Sequence, residues 1–349
     1  MLESAEHCLN QTHPTIPCPH PLEPQPCPDQ HIGFGADSSY LAKQLQHSFG
    51  IERLPGHQPT AFVHCLEAEM SIPEQANFTQ DPSYIPRGPV IASLQFFDPP
   101  ADGSKAWNYP LGTGPPPGQP RRNFGDADIA VTITDIRGQE SKFSLDTNAF
   151  TTLNTTASTS SDFSSEKSIE ETYYPEVKSL LHSHIPEAKR IVIFDHTIRL
   201  IGGDRPPVLR VHIDQTSSAA IGRVRAVLPS HEAEELLKGR VRIINVWRPL
   251  NGPVQCSPLA FADSNTVTKE QCVAVEHRYP ERTGETISVI HGDEKWYYWS
   301  GIDNEERILL ECYDSEKGGR VPHTAFVDPR SPPGARQRES IEVRALVFG

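Results

Sequence analysis

Hydrophobic and polar positions change character near residue 88. From there the chain reads as a series of short strands. Pro89–Phe97 is a β-rich run closed by Pro99 and Pro100, and Ile129–Thr134 alternates with period two. Asp135-Ile136-Arg137-Gly138 carries turn chemistry, and the return through Lys142–Leu145 predicts a hairpin. Residues 99–122 (Pro/Gly-rich) and 151–165 (Ser/Thr-rich) have no core pattern and read as loops. A helix is expected to start at Pro175, with Val177, Leu180, Leu181 and His184 on one face. Arg190–Phe194 reads as a buried strand, and residues 218–238 as helix broken by Pro229. Further strands are expected near 241–247, 254–262, 284–290, 295–300, 307–313, 321–327 and 338–348. Many short strands, few helices and no βαβ alternation predict a mostly-β barrel or sandwich with flanking helices.

The first 57 residues differ. Seven prolines between Pro14 and Pro28 exclude helix and sheet and predict an extended, flexible arm. Residues 58–349 are expected to form a single domain. Gly33-Phe34-Gly35 follows no strand and lacks a third glycine, so it is not a nucleotide loop.

Composition narrows the function classes. The 349-residue chain carries a formal charge of −13, which argues against nucleic acid and against an anionic membrane surface. No apolar run is long enough to span a bilayer, and the N-terminus lacks a basic region followed by an apolar one. Seven scattered cysteines without a C-x-x-C read as free thiols in a reducing compartment, so the expected location is the cytoplasm. A monomer or homodimer is expected, and the resemblance described below implies a small-molecule substrate.

The segment Val208–Thr216 carries the chemistry. Leu209, Val211 and Ile213 share one strand face; Arg210, His212 and Asp214 share the other. An imidazole and a carboxylate at i, i+2 supply two ligands to a metal, and a distant histidine would complete a two-His-one-carboxylate triad of the kind that holds non-haem Fe(II). His323, at the start of the strand Val321–Phe326, is the candidate; the 109 residues from Asp214 are long for the superfamily resembled below, which makes His277 and His291 the fallbacks. A second H-x-D, His291-Gly292-Asp293, ends a strand at a turn, where its side chains need not converge. Downstream, Arg338 and Ser340 share a strand face. A guanidinium fork and a hydroxyl inside a barrel suit a carboxylate such as the far end of 2-oxoglutarate, unless Arg338 pairs with Glu342 or caps the barrel mouth.

His-x-Asp, a distal His and Arg-x-Ser resemble the double-stranded β-helix (jelly-roll) oxygenases that use Fe(II), 2-oxoglutarate and O2. Asp135-Ile136-Arg137-Gly138, Tyr173–Val177, Phe194–Thr197, Val211–Asp214, Asn245–Pro249, Trp296–Tyr298, Pro322–Phe326 and Arg338–Arg344 together resemble the fungal hydroxylase/desaturase family grouped with gibberellin desaturases and cephem methoxylases. The resemblance covers about residues 88–349. It implies a 2-oxoglutarate-dependent dioxygenase of fungal secondary metabolism that hydroxylates, desaturates or cyclises at an unactivated C–H. It also implies iron on His212, Asp214 and His323. Arg338 and Ser340 would hold 2-oxoglutarate, with Arg344 or Arg248 as alternates, and Trp247 and Tyr298 are candidate substrate contacts. The competing readings are a cupin-like metalloenzyme that does not use 2-oxoglutarate and a non-catalytic β-barrel binding module.

Overall fold

Two packed sheets carry the fold. Their strands are β1 (Val90–Asp98), β2 (Trp107–Asn108), β3 (Gly125–Asp135), β4 (Phe150–Leu153), β5 (Arg190–Arg199), β6 (His212–Ile213), β7 (Val241–Pro249) and β8 (Leu259–Ala262). They continue with β9 (Cys272–Arg278), β10 (Thr283–Val289), β11 (Trp296–Tyr298), β12 (Arg307–Asp314), β13 (Gly318–Gly319), β14 (His323–Ala325) and β15 (Ser340–Phe348). The larger sheet runs β1-β3-β11-β8-β14-β6-β10-β9-β2 and the smaller β13-β12-β7-β15-β5, with β4 added to β12. The computed structural model describes residues 81–349 apart from 82, 111, 155, 156 and 161. The proline-rich arm and the expected boundary at 57/58 lie outside these residues.

Side chains from the inner faces of both sheets fill the main core: Leu94, Phe96, Ile133, Val211 and Phe261 from the larger, Trp247, Ile308 and Leu310 from the smaller. The smaller sheet is covered on its outer side as well. There Ile244, Val246, Leu309, Val343 and Ala345 meet Val177 and Leu181 of helix α1 (Tyr174–His184). Burial on both faces explains why every residue of β7 and β12 is buried, where a strand with one wet face would alternate. Helices α2 (Ser217–Val227) and α3 (Ser230–Leu236) close one end through Ala220, Val224 and Ala233. Pro229 separates them as the residue preceding α3, where its missing N–H is harmless. This two-sheet, mostly-β arrangement is the expected jelly roll.

The expected hairpin is corrected. Lys142–Leu145 forms no strand: residues 140–142 are a 3-10 turn, and Ser144 caps a short helix by accepting from the Thr147 N–H. Strand β3 pairs instead with β1 along nine register positions, and with β11 on its other side. The turn residues belong to a different device. Asp135 accepts the N–H groups of Gly88 (2.8 Å), Arg137 (3.0 Å) and Ser300 (3.1 Å), tying three segments together. Phe143 then packs on Phe150 and Tyr297.

Candidate metal centre

Strand register brings the two imidazoles together. His212 of β6 lies directly opposite His323 of β14, and Ser288 of β10 flanks it on the other side. The imidazole ring centroids are 4.4 Å apart. Asp214 follows two residues after His212 and points the same way, its Oδ1 lying 3.3 Å from His212 Nε2 and 3.9 Å from His323 Nε2. One ligand atom from each residue falls within 4.8 Å of the others, the spacing of three donors around one ion.

Each donor is aimed by a partner on its far side. His212 Nδ1 meets the Arg210 carbonyl at 2.8 Å and His323 Nδ1 meets the Val321 carbonyl at 3.1 Å. A carbonyl can only accept, so both Nδ1 atoms carry the proton and both Nε2 lone pairs face the centre. Asp214 is divided in the same manner. Its Oδ2 accepts from Asn245 Nδ2 (2.7 Å) and Arg344 Nε (2.9 Å), leaving Oδ1 turned towards the two imidazoles. Asn245 and Arg344 are themselves register partners on β7 and β15, so the smaller sheet orients a ligand carried by the larger.

Burial favours a neutral Asp214, but Arg344 outweighs it, with His212 and His323, and the carboxyl is held well below the usual carboxylate range. The group is therefore an anion at neutral pH. His323 is pushed down, first by burial and then by the neighbouring His212, so its neutral, ligating form is favoured. A hard carboxylate oxygen and two imidazole nitrogens, converging on one point, fit a divalent iron ion.

The three residues line a cavity of about 280 Å³, with Arg338 and Trp247 also in its wall. Arg338 is 7 % exposed; its Nη1 donates to the Ser257 carbonyl at 2.7 Å and its Nε has no partner. Glu342 lines the same cavity and favours the charged form from a distance, but it is bonded to Arg344, and no carboxylate contacts Arg338 among the described residues. Burial, and then the nearby Arg199, push this guanidinium down to about 10. A buried cation without a contacting counter-ion is costly, and a carboxylate entering the cavity would relieve it. Ser340 is buried at the start of β15, two residues along the same alternation.

Other expected residues lie differently. Arg344 faces the cavity but is engaged by Asp214, Glu342, Asp195 (3.1 Å) and Thr197 (3.0 Å). Arg248 points to the opposite side of β7, where it meets Ser158 (2.8 Å) and the rings of Phe163 and Tyr173. Tyr298 sits in the core between Gly88, Arg330 and Phe326, and does not line the cavity. His291 pairs with Glu294 (2.9 Å) and borders a separate cleft with Asp293, so that H-x-D does not converge with the cluster. His277 does line the cavity, bound to Thr286 Oγ1 at 2.7 Å. Sequence reasoning missed Asn245 and Arg199; the first lay inside the Asn245–Pro249 stretch that carried the resemblance.

Comparison with known proteins gives the family of the chain. The "Oxidoreductase/YMDC permease-like domain" family matches residues 94–348. The hydroxylase/desaturase poxK of Penicillium oxalicum is 33 % identical over 321 residues, which cover 79 % of this chain and 97 % of that protein. The chain belongs to the fungal hydroxylase/desaturase family of Fe(II)/2-oxoglutarate-dependent dioxygenases. Within this family, the dioxygenase nvfI of Aspergillus novofumigatus is 33 % identical over 270 residues, covering 74 % of this chain and 96 % of its own. A solved structure of the iron and alpha-ketoglutarate-dependent endoperoxidase NvfI, carrying one substitution, superposes with a TM-score of 0.70 at 29 % identity, covering 76 % of this chain and 99 % of that one. Hydroxylase/desaturase-family membership makes the chain an oxidoreductase whose cofactors are Fe(II), 2-oxoglutarate and O2. Among the described residues, no helix is long and apolar enough to cross a membrane, despite the word permease in the family description.

Proposed function

We propose that the chain oxidises an unactivated C–H bond of a small molecule in secondary-metabolite biosynthesis, by hydroxylation, desaturation or oxidative ring closure. One observation carries the reading: two Nε2 lone pairs and one carboxylate oxygen converge on the wall of a cavity that also holds a buried arginine without a contacting counter-ion.

His212, Asp214 and His323 hold the iron. Arg338 binds the far carboxylate of 2-oxoglutarate, with Ser340 as the second donor. Bound iron, with 2-oxoglutarate and O2, supplies an oxidant strong enough to remove hydrogen from a C–H bond. The protein's own work is positional. Arg344 and Asn245 fix Asp214 so that Oδ1 faces the ion. Trp247 supplies an apolar wall beside Arg338, whose guanidinium lies 5.2 Å from its ring, and limits water there. The relatives support more than one outcome, since their names include hydroxylase/desaturase and endoperoxidase.

Anaerobic titration with Fe(II) and 2-oxoglutarate tests the reading. A weak visible charge-transfer band is expected in the wild type and absent in His323→Ala. Succinate formation separates this function from a cupin-like enzyme that does not use 2-oxoglutarate. A wild-type protein that binds iron but gives neither band nor succinate overturns the proposal.

A further inference from the structure

An open cleft, of about 680 Å³, adjoins the metal-side cavity; Asp214, His277 and Thr286 belong to the walls of both. Its floor is the outer face of α2, where Ala219, Gly222 and Ala226 leave room for a bulky guest. Its rim holds two arginines from distant parts of the chain. Arg223 rises from α2, and Arg282 comes from the β9–β10 turn, closed by Tyr279 N–H donating to the Arg282 carbonyl at 2.9 Å.

Neither arginine has a carboxylate partner among the described residues. Each guanidinium instead lies near an aromatic ring, Arg223 at 4.9 Å from Phe194 and Arg282 at 4.2 Å from Tyr279. Such stacking holds a guanidinium in place while leaving its N–H fork for an anion. The carboxylates in the same walls are already committed. Glu285 accepts from Thr216 (2.9 Å) and Ser218 and pairs with Lys105 (3.3 Å), and Asp214 serves the metal cluster and Arg344. In a chain of formal charge −13, the half-buried Arg223 and the exposed Arg282 make a cationic rim on a cleft beside the metal-side cavity, where it would attract anions.

We propose that this cleft receives the oxidised substrate, and that the substrate is an amphipathic carboxylic acid whose carboxylate is held by Arg223 and Arg282 while its apolar part reaches past His277 towards the metal. This inference rests on the oxygenase reading above. It names the class of substrate, an acid distinct from 2-oxoglutarate and held at the opposite end of the site from Arg338.

The test uses the full chain loaded with Fe(II) and saturating 2-oxoglutarate under anaerobic conditions. The probes are a panel of medium-chain fatty acids, 4-arylbutyric acids and N-acyl amino acids, each beside its methyl ester. The readout is perturbation of the charge-transfer band. At least one acid should bind about tenfold more tightly than its ester, the discrimination expected of one charge-assisted contact. Arg223→Gln and Arg282→Gln should each reduce that preference and the double substitution should erase it, while the band without probe and its 2-oxoglutarate dependence stay unchanged. Esters that bind as well as acids, a panel in which no acid perturbs the band, or an acid preference that survives both substitutions would each overturn the proposal. Loss of the band itself in the wild type would instead sink the oxygenase reading, so the two failures are told apart.

Discussion

At the scale of single residues, the centre depends on dividing each ligand between two tasks. Asp214 gives one oxygen to Asn245 and Arg344 and turns the other towards His212 and His323, where the proposed ion would sit. Removing an orienting partner of a metal ligand typically costs about 10- to 100-fold in metal affinity. Asn245→Ala is therefore expected to weaken Fe(II) binding by that factor, measured by anaerobic titration, without unfolding the chain. Affinity equal to wild type would show that Arg344 alone fixes Asp214. Protonation gives a second expectation. Burial and His212 hold His323 below the ordinary histidine range, so the folded state binds fewer protons here than the unfolded one. Stability from this group is thus full above the unfolded value of about 6.5 and is lost as pH falls through the folded value. Iron affinity should fall over the same acid range, because the ion needs neutral imidazole. Titration at stepwise lower pH checks this; a flat profile down through that range would exclude His323 as a ligand. The H-x-D pair was legible because strand alternation is local, so i and i+2 share a face whatever the rest of the chain does. Asn245 was not legible as a ligand-orienting group, since its role depends on which strand of the other sheet passes over Asp214.

Elements show where local pattern stops being sufficient. Strands β1, β7, β12 and β15 were readable from apolar runs bounded by turn residues, and Pro229 marked the break between α2 and α3. The hairpin after β3 was misread because turn chemistry at Asp135–Gly138 is compatible with a return strand, while the actual pairing is with the earlier β1. Pairing choice is a tertiary matter: the two inner faces must bury Ile133 and Leu94 together. The loop between β7 and β8 has a role that no pattern announces. It carries Ser257, whose backbone sits in the left-handed region (φ 48°) and whose carbonyl accepts from Arg338. Gly252 in the same loop leaves no space for a side chain, since an added Cβ would lie 2.8 Å from Asp303 Cα and 3.0 Å from Asn304 N. Both obstacles are backbone. Gly252→Ala should destabilise the fold by about 1–3 kcal/mol, the usual cost of overpacking. At this size that lowers the melting temperature by roughly 2–4 °C per kcal/mol, which a thermal melt reads directly. A melting temperature equal to wild type would show that the loop gives way.

For the whole molecule, the site is a device for joining two sheets. The proposed iron ligands come from β6, its continuation at Asp214, and β14 in the larger sheet; Arg338 precedes β15 of the smaller one. A metal alone therefore ties together elements of one sheet. A metal carrying 2-oxoglutarate, gripped at its far end by Arg338, links the two. Anything that binds only the folded state stabilises it by mass action, by about 2.7 kcal/mol at a hundredfold excess over the dissociation constant. Each ligand at that excess should raise the melting temperature by roughly 5–10 °C in a domain of this size. Anaerobic melts should show two increments in the wild type, one with Fe(II) and a further one with 2-oxoglutarate, the second seen only when iron is present. His323→Ala should lose both increments, and Arg338→Ala only the second. A 2-oxoglutarate increment that persists in Arg338→Ala would move the carboxylate contact to another cation in the cavity wall, and Arg199 is the one placed to take it.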